Sequence, residues 1–177
     1  MADFKTALEA TLKHEGGYAF DPQDPGGETY KGIARERNPK WKGWMKVDLL
    51  RRAQGFPRNL DQDDELQRLV GELYELNYWH KIQGDEIADQ DMAEAIFDFA
   101  VNAGPITSAK LAQATVGAEP DGVIGPDTVA RINAEDKRTF LALFTLSKIG
   151  RYVGICQQRA DSRKYFFGWV RRALEGV

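Results

Sequence analysis

The sequence predicts a mainly α fold, with helices in two lobes and a small β-hairpin or irregular loop near residues 18–34. Three observations predict it. Apolar residues recur at helical spacing, as in Phe4, Leu8 and Leu12, and again in Leu66, Leu69, Val70, Leu73 and Leu76. Helix punctuation brackets these stretches, with Asp at the starts and Gly or Gly-Pro at the stops. Residues 16–34 gather Gly16, Gly17, Pro22, Pro25, Gly26, Gly27 and Gly32, a density that helices do not tolerate.

In chain order, residues 4–14 read as a short helix with Asp3 as N-cap and a stop at Gly16-Gly17. Residues 35–60 read as basic and irregular, and residues 62–79 as a helix capped by Asp61 or Asp63. Asp91 with Glu94 fits a capping box for a helix through Val101 that stops at Gly104-Pro105. Pro105 and Pro126 each suit the first turn of a further helix. Residues 136–159 carry an apolar helical pattern interrupted by Gly150 and Gly154, and residues 162–174 a last aromatic helix. The expected organisation is a single domain over residues 1–177, with one lobe over 1–60 and a helical lobe over 61–177.

Composition narrows the function classes. The chain has 177 residues and a net charge of −3, and its first thirty residues hold six acidic against two basic side chains. That balance speaks against a dedicated nucleic-acid binder, such as a helix-turn-helix built on the turn near Gly122–Pro126. Cys156 stands alone, so an intramolecular disulfide and a multi-cysteine zinc site are excluded, and no metal or organic cofactor is expected. The first residues lack a basic region leading into an apolar run, so synthesis in the cytoplasm without a Sec-type signal is expected. The most apolar stretch, Phe140–Ile149, reads as too short to span a bilayer.

The segment from His14 to Ile33 carries the candidate chemistry. Glu15 falls at the end of the first helix, just before two glycines. A carboxyl group at a helix C-terminus faces the negative end of the helix dipole, a setting that suits a general acid. Asp24 lies in a polar Gly- and Pro-rich loop, and Thr29 adds a hydroxyl that can help it hold a water. Two carboxylates in different environments form the pattern for acid and base roles. Plainer readings stand beside these: a solvated helix-end Glu, an Asp-Pro-Gly-Gly turn and a strand Thr. Tyr18, Tyr30 and Trp79 are candidate stacking platforms for a ligand or loop anchors in the core. Asp98 is a candidate cleft carboxylate, and Asn102 a candidate hydrogen-bonding partner or a helix C-cap. The basic, aromatic tail, with Arg163, Lys164, Phe166, Phe167, Trp169, Arg171 and Arg172, reads either as an ordinary packed helix or as a surface for anionic polymers or lipid.

Glu15, Asp24 and Thr29 together resemble the Glu/Asp/Thr constellation of phage-type lysozymes, with an Asp-to-Thr gap one residue shorter. The strings His14-Glu15-Gly16-Gly17-Tyr18 and Asp24-Pro25-Gly26-Gly27-Glu28-Thr29, closed by Gly32-Ile33, resemble the glycoside hydrolase family 108 N-acetylmuramidases, phage endolysins and "secretion activator" proteins. Phe97–Pro105 and Asp121–Thr128 resemble the C-terminal peptidoglycan-binding part of that family, here about residues 72–135. The resemblance implies a lysozyme-like fold and hydrolysis of the β-1,4 bond between N-acetylmuramic acid and N-acetylglucosamine. It implies Glu15 as general acid and Asp24 as the base positioning water, with Thr29 assisting, in an inverting reaction. The implied partner is peptidoglycan, glycan strands and stem peptides, met by a monomer after release from the cytoplasm, through a holin or in service of secretion, without stable membrane insertion. A lytic transglycosylase and a wall-binding module without turnover are the alternative readings.

Overall fold

The computed structural model describes residues 1–13, 15–21 and 27–174. It is mainly α, as expected, and carries one small sheet. The described chain forms two compact units, Leu8–Leu76 and Met1–Ala7 with Asn77–Val177. The boundary read at residues 60–61 falls inside the first of these, because the helix that follows it packs on the segment before it.

Helix α1 (Phe4–Leu12) opens at Asp3, whose Oδ1 accepts from the Thr6 backbone N–H at 2.8 Å. Within the Leu8–Leu76 unit follow β1 (Tyr18–Phe20), β2 (Glu28–Tyr30) and β3 (Ile33–Ala34), an antiparallel sheet in chain order. Tyr18 faces Tyr30 across β1 and β2, and Thr29 faces Ala34 across β2 and β3. The sequence reading stopped at one hairpin because β3 is only two residues long. Helix α2 (Gly43–Leu50) lies in the stretch read as irregular. Its pattern is weak, but Trp44 and Val47 bury on one side, and the Trp44 indole N–H donates to Asn38 O at 2.9 Å. Helix α3 (Asp64–Tyr74) is capped by Asp63 and continues as a π-helical stretch, Glu75–Trp79. Its buried face is Leu66, Leu69, Val70 and Tyr74, while Leu76, expected on that face, is exposed.

In the second unit, α4 (Gln90–Ala103) is capped by Asp89 rather than by the expected Asp91. The Asp89 carboxylate accepts from the N–H groups of Asp91 and Met92 at 3.0 and 3.1 Å. Helices α5 (Pro105–Thr115) and α6 (Pro126–Ala134) both start on the expected prolines. Helix α7 (Lys137–Gln158) runs unbroken for 22 residues. Gly150 and Gly154 do not interrupt it, and by length and composition it is long enough to cross a bilayer. One side of it is part of the core: Phe140, Phe144, Tyr152 and Cys156 bury, and it packs on α4 and α5. A short 3₁₀ stretch, Ala160–Tyr165, leads into α8 (Phe166–Leu174), which packs on α7.

The Asp63 cap has a measurable signature. The hydrogen bond from the Leu66 N–H, at 2.8 Å, holds the Asp63 carboxyl below the usual carboxylate range. Its stabilising effect is therefore present above that range and lost as pH falls through the lowered value. Asp63→Ala is expected to cost about 1 kcal/mol at neutral pH. The gap from wild type should narrow in acid when chemical denaturation is followed across pH.

Candidate functional site

The site grows from a tight turn. Strands β2 and β3 are joined by Lys31 and Gly32, both at positive φ, +44° and +74°. That is the two-residue primed turn whose twist matches paired strands. Gly32 also tolerates a close approach. A methyl group there would lie 2.6 Å from Glu15 Oε2 and 2.8 Å from the Tyr74 hydroxyl. The carboxylate that leaves the end of α1 thus rests against the β2–β3 turn, beside a phenol from α3. The Tyr74 hydroxyl donates to Lys31 O at 2.7 Å and is almost wholly buried. Tyr74 was missed in the sequence, although it falls four residues after Val70 and eight after Leu66, on the buried face of α3.

Thr29 sits one residue before Tyr30 on β2. It is half-buried, opposite Ala19 and Ala34, so its cross-strand neighbours are both small. Asp24 and His14 lie outside the described residues.

The other face of β2 is an ion cluster that sequence reading also missed. Glu28 is 8% exposed. Arg35 Nε lies 2.6 Å from its Oε2, Arg51 pairs with its Oε1, and the Tyr18 hydroxyl donates to Oε1 at 3.0 Å. Arg35 also forks onto Asp48 at 2.7 and 3.1 Å and lies 4.5 Å from the Trp44 ring centre. The Arg35 guanidinium holds the Asp48 carboxyl below its usual range. Burial, then the bond to Glu28, pushes the Tyr18 hydroxyl up. Tyr18 is thereby fixed at the sheet edge, its ring 4.7 Å edge-on to Phe56.

Two of the expected stacking platforms are core residues. Tyr30 is 1% exposed, with its hydroxyl donating to Asp61 at 3.0 Å and accepting from Gln67 at 2.9 Å. Trp79 is 0% exposed, clasped by Phe4 and Phe97, with its indole N–H on Asp85 at 2.8 Å. Neither ring face is available to a ligand in this structure. Trp79, Asp98 and Asn102 belong to the second unit. Asp98 pairs with Arg172 at 2.9 Å. Asn102 is exposed in the last turn of α4, and the C-cap is Gly104, not Asn102. Among the described residues no group of three or more His, Cys, Asp or Glu side chains is arranged to hold a metal.

The Asp121–Pro126 string is built around Gln113, 1% exposed on α5. Its amide donates to Asp121 Oδ1 at 2.7 Å and to Val123 O at 3.1 Å, and its Oε1 accepts from the Gly122 N–H at 2.9 Å.

Residues 8–104 match the family described as Glycosyl hydrolase 108. Residues 107–174 match the family described as Predicted Peptidoglycan domain. Among solved structures, the one titled "Structure of Brucella abortus SagA" shares the fold. It has a TM-score of 0.68 and 24% identity, covering 98% of this chain and 90% of that chain. No curated protein matches the chain.

Gly32→Ala is expected to destabilise the first unit by about 1–3 kcal/mol, since it adds a side chain at positive φ and forces Glu15 and Tyr74 apart. Gly17→Ala, with nothing within 4 Å of its added methyl and no positive φ, is the control and should differ little. Thermal unfolding of the two variants side by side makes the comparison.

Proposed function

Because the chain belongs to glycosyl hydrolase family 108, matched over residues 8–104, we propose that it is a lysozyme-type N-acetylmuramidase acting on peptidoglycan. It cleaves the β-1,4 bond between N-acetylmuramic acid and N-acetylglucosamine. The observation that carries this reading is the Glu15 carboxylate resting on the side-chain-free surface of Gly32, beside the Tyr74 hydroxyl.

In this reading Glu15 protonates the leaving glycosidic oxygen. Gly32 leaves room for the carboxyl itself to lie against the turn, and the Tyr74 hydroxyl, anchored on Lys31 O, positions the turn against which Glu15 sits. Asp24 acts as the base that orients the attacking water, and the Thr29 hydroxyl assists it. An inverting reaction of this kind keeps its carboxyls roughly 6.5–9.5 Å apart to admit the water. Residues 107–174, matched as a predicted peptidoglycan domain, hold the polymer. The protein acts on the wall after release from the cytoplasm, as a monomer.

The test is digestion of purified peptidoglycan with mass-spectrometric identification of the new ends. Wild type is expected to give reducing N-acetylmuramic acid ends, and Glu15→Gln to lose at least about a thousandfold in rate. Asp24→Asn should be nearly as damaging and Thr29→Ala milder. Anhydro ends would instead assign lytic transglycosylation, and retention on the wall without new ends would assign binding alone.

A further inference from the structure

Residues 137–174 hold nine Lys and Arg against one acidic residue, Asp161, a net charge of +8 in a chain whose total is −3. Part of this charge is spent inside the fold. Lys137 pairs with Asp89 and Asp91, Arg172 pairs with Asp98, and Lys148 is buried over the Phe144 ring. Arg151, Arg159, Arg163, Lys164 and Arg171 remain exposed.

Among these cations the same helices leave apolar side chains in water. On α7 the exposed line is Leu143, Leu146, Gly150 and Val153, at i, i+3, i+7 and i+10. Leu146 is 63% exposed. The line runs to a groove of about 330 Å³ lined by Val153, Cys156, Gln157, Arg163, Phe166 and Phe167. Across the groove, Lys164, Phe167, Arg171 and Leu174 repeat the same spacing, alternating cation and apolar, and Phe167 is 83% exposed.

The pairing of charge and apolar surface selects the occupant. A second copy would bring the same positive face against itself, and like charges repel. A hydrated anionic polymer would meet the cations but leave Phe167 and Leu146 in water. An anionic bilayer surface satisfies both, since its phosphates attract the cations and its headgroup–acyl boundary takes up the apolar side chains. We propose that the α7–α8 face adsorbs flat on an anionic phospholipid surface, with Phe167 and Leu146 as the inserted side chains and Arg163, Lys164 and Arg171 on the headgroups. The helix lies on the membrane rather than through it, because its opposite side, with Phe140, Phe144 and Tyr152, is committed to the core. This inference stands independently of the assignment of Glu15.

Cosedimentation of the full chain with phosphatidylglycerol–phosphatidylcholine vesicles tests it, with pure phosphatidylcholine vesicles and sedimented peptidoglycan alongside. Binding to the anionic vesicles is expected, together with a blue shift of tryptophan emission from Trp169 on α8, and it should weaken as salt rises. Phe167→Glu should weaken it about tenfold or more, and the Arg163→Glu/Arg171→Glu double variant comparably. All three side chains changed are exposed, and unchanged thermal unfolding and far-ultraviolet circular dichroism would show that the variants stay folded. The proposal is overturned if wild type fails to bind anionic vesicles at low salt, or if it binds neutral vesicles equally. It is also overturned if Phe167→Glu leaves vesicle binding intact while losing retention on peptidoglycan or abolishing a dimer.

Discussion

Residue 32 has no side chain, and the arrangement around Glu15 depends on that. The turn between β2 and β3 asks for positive φ at two consecutive residues, and only the second is glycine. Lys31 occupies the left-handed region at a cost that its surroundings must offset. They do so from several directions. Its N–H donates to Gly17 O at 3.2 Å, its carbonyl accepts from the Tyr74 hydroxyl, and its ammonium meets Gln67 at 2.6 Å and Asp61 at 3.4 Å. The chain just after Glu15, the middle of β2–β3 and the end of α3 are therefore tied at one residue. A carboxylate can be held at a fixed place only if its backing surface is fixed, and this turn is that surface.

The sheet itself is short, and three strands of two or three residues do not hold together on ladder bonds alone. Glu28 supplies what is missing. A carboxylate at 8% exposure is costly unless its oxygens are satisfied, and here two guanidiniums and a phenol satisfy them. Because Arg35 also forks onto Asp48, the charge cluster fastens β2 to α2. The alternation along β2 then separates two jobs. Glu28 and Tyr30 anchor the strand on one face, which leaves Thr29 on the other, between alanines.

How far the fold was legible follows from which signals are local. The cap at Asp3 and the prolines at the starts of α5 and α6 act within one turn of chain and were read correctly, and Asp63 was one of the two caps read for α3. Asp89 displaced Asp91 as a cap because both residues offer the same chemistry two positions apart, and only the backbone path chooses between them. Helix α7 survived two glycines because tertiary packing on α4 and α5 outweighs their propensity cost of about 1 kcal/mol each. At the site, Glu15 was visible from its position before two glycines. Tyr74 and the Glu28 cluster were not, since they are brought to the sheet from 43 and from 7 to 23 residues away respectively, and aromatic or charged residues at such separations leave no local pattern. Tyr30 and Trp79 show the converse: a sequence marks a ring near a glycine loop but not which way its face turns.

The two glycine motifs make the last distinction. Gly32 and Gly122 look alike in sequence, each in a turn just ahead of a regular element, and both adopt positive φ, +74° and +89°. A methyl group is crowded at either. At Gly122 it would meet Ile106 and Lys110 side chains at 2.9 and 3.2 Å, and the turn around it is locked by Gln113, whose amide holds the Asp121 carboxyl below its usual range. At Gly32 it would meet a carboxylate and a phenolic hydroxyl. The backbone demand is the same in both places, so neither a turn signature nor a positive φ tells what the turn accommodates. The neighbour does. Gly122 makes room for the exposed side chains of Ile106 and Lys110, whereas Gly32 makes room for a carboxylate and a buried phenol, and so fixes where an acidic group lies.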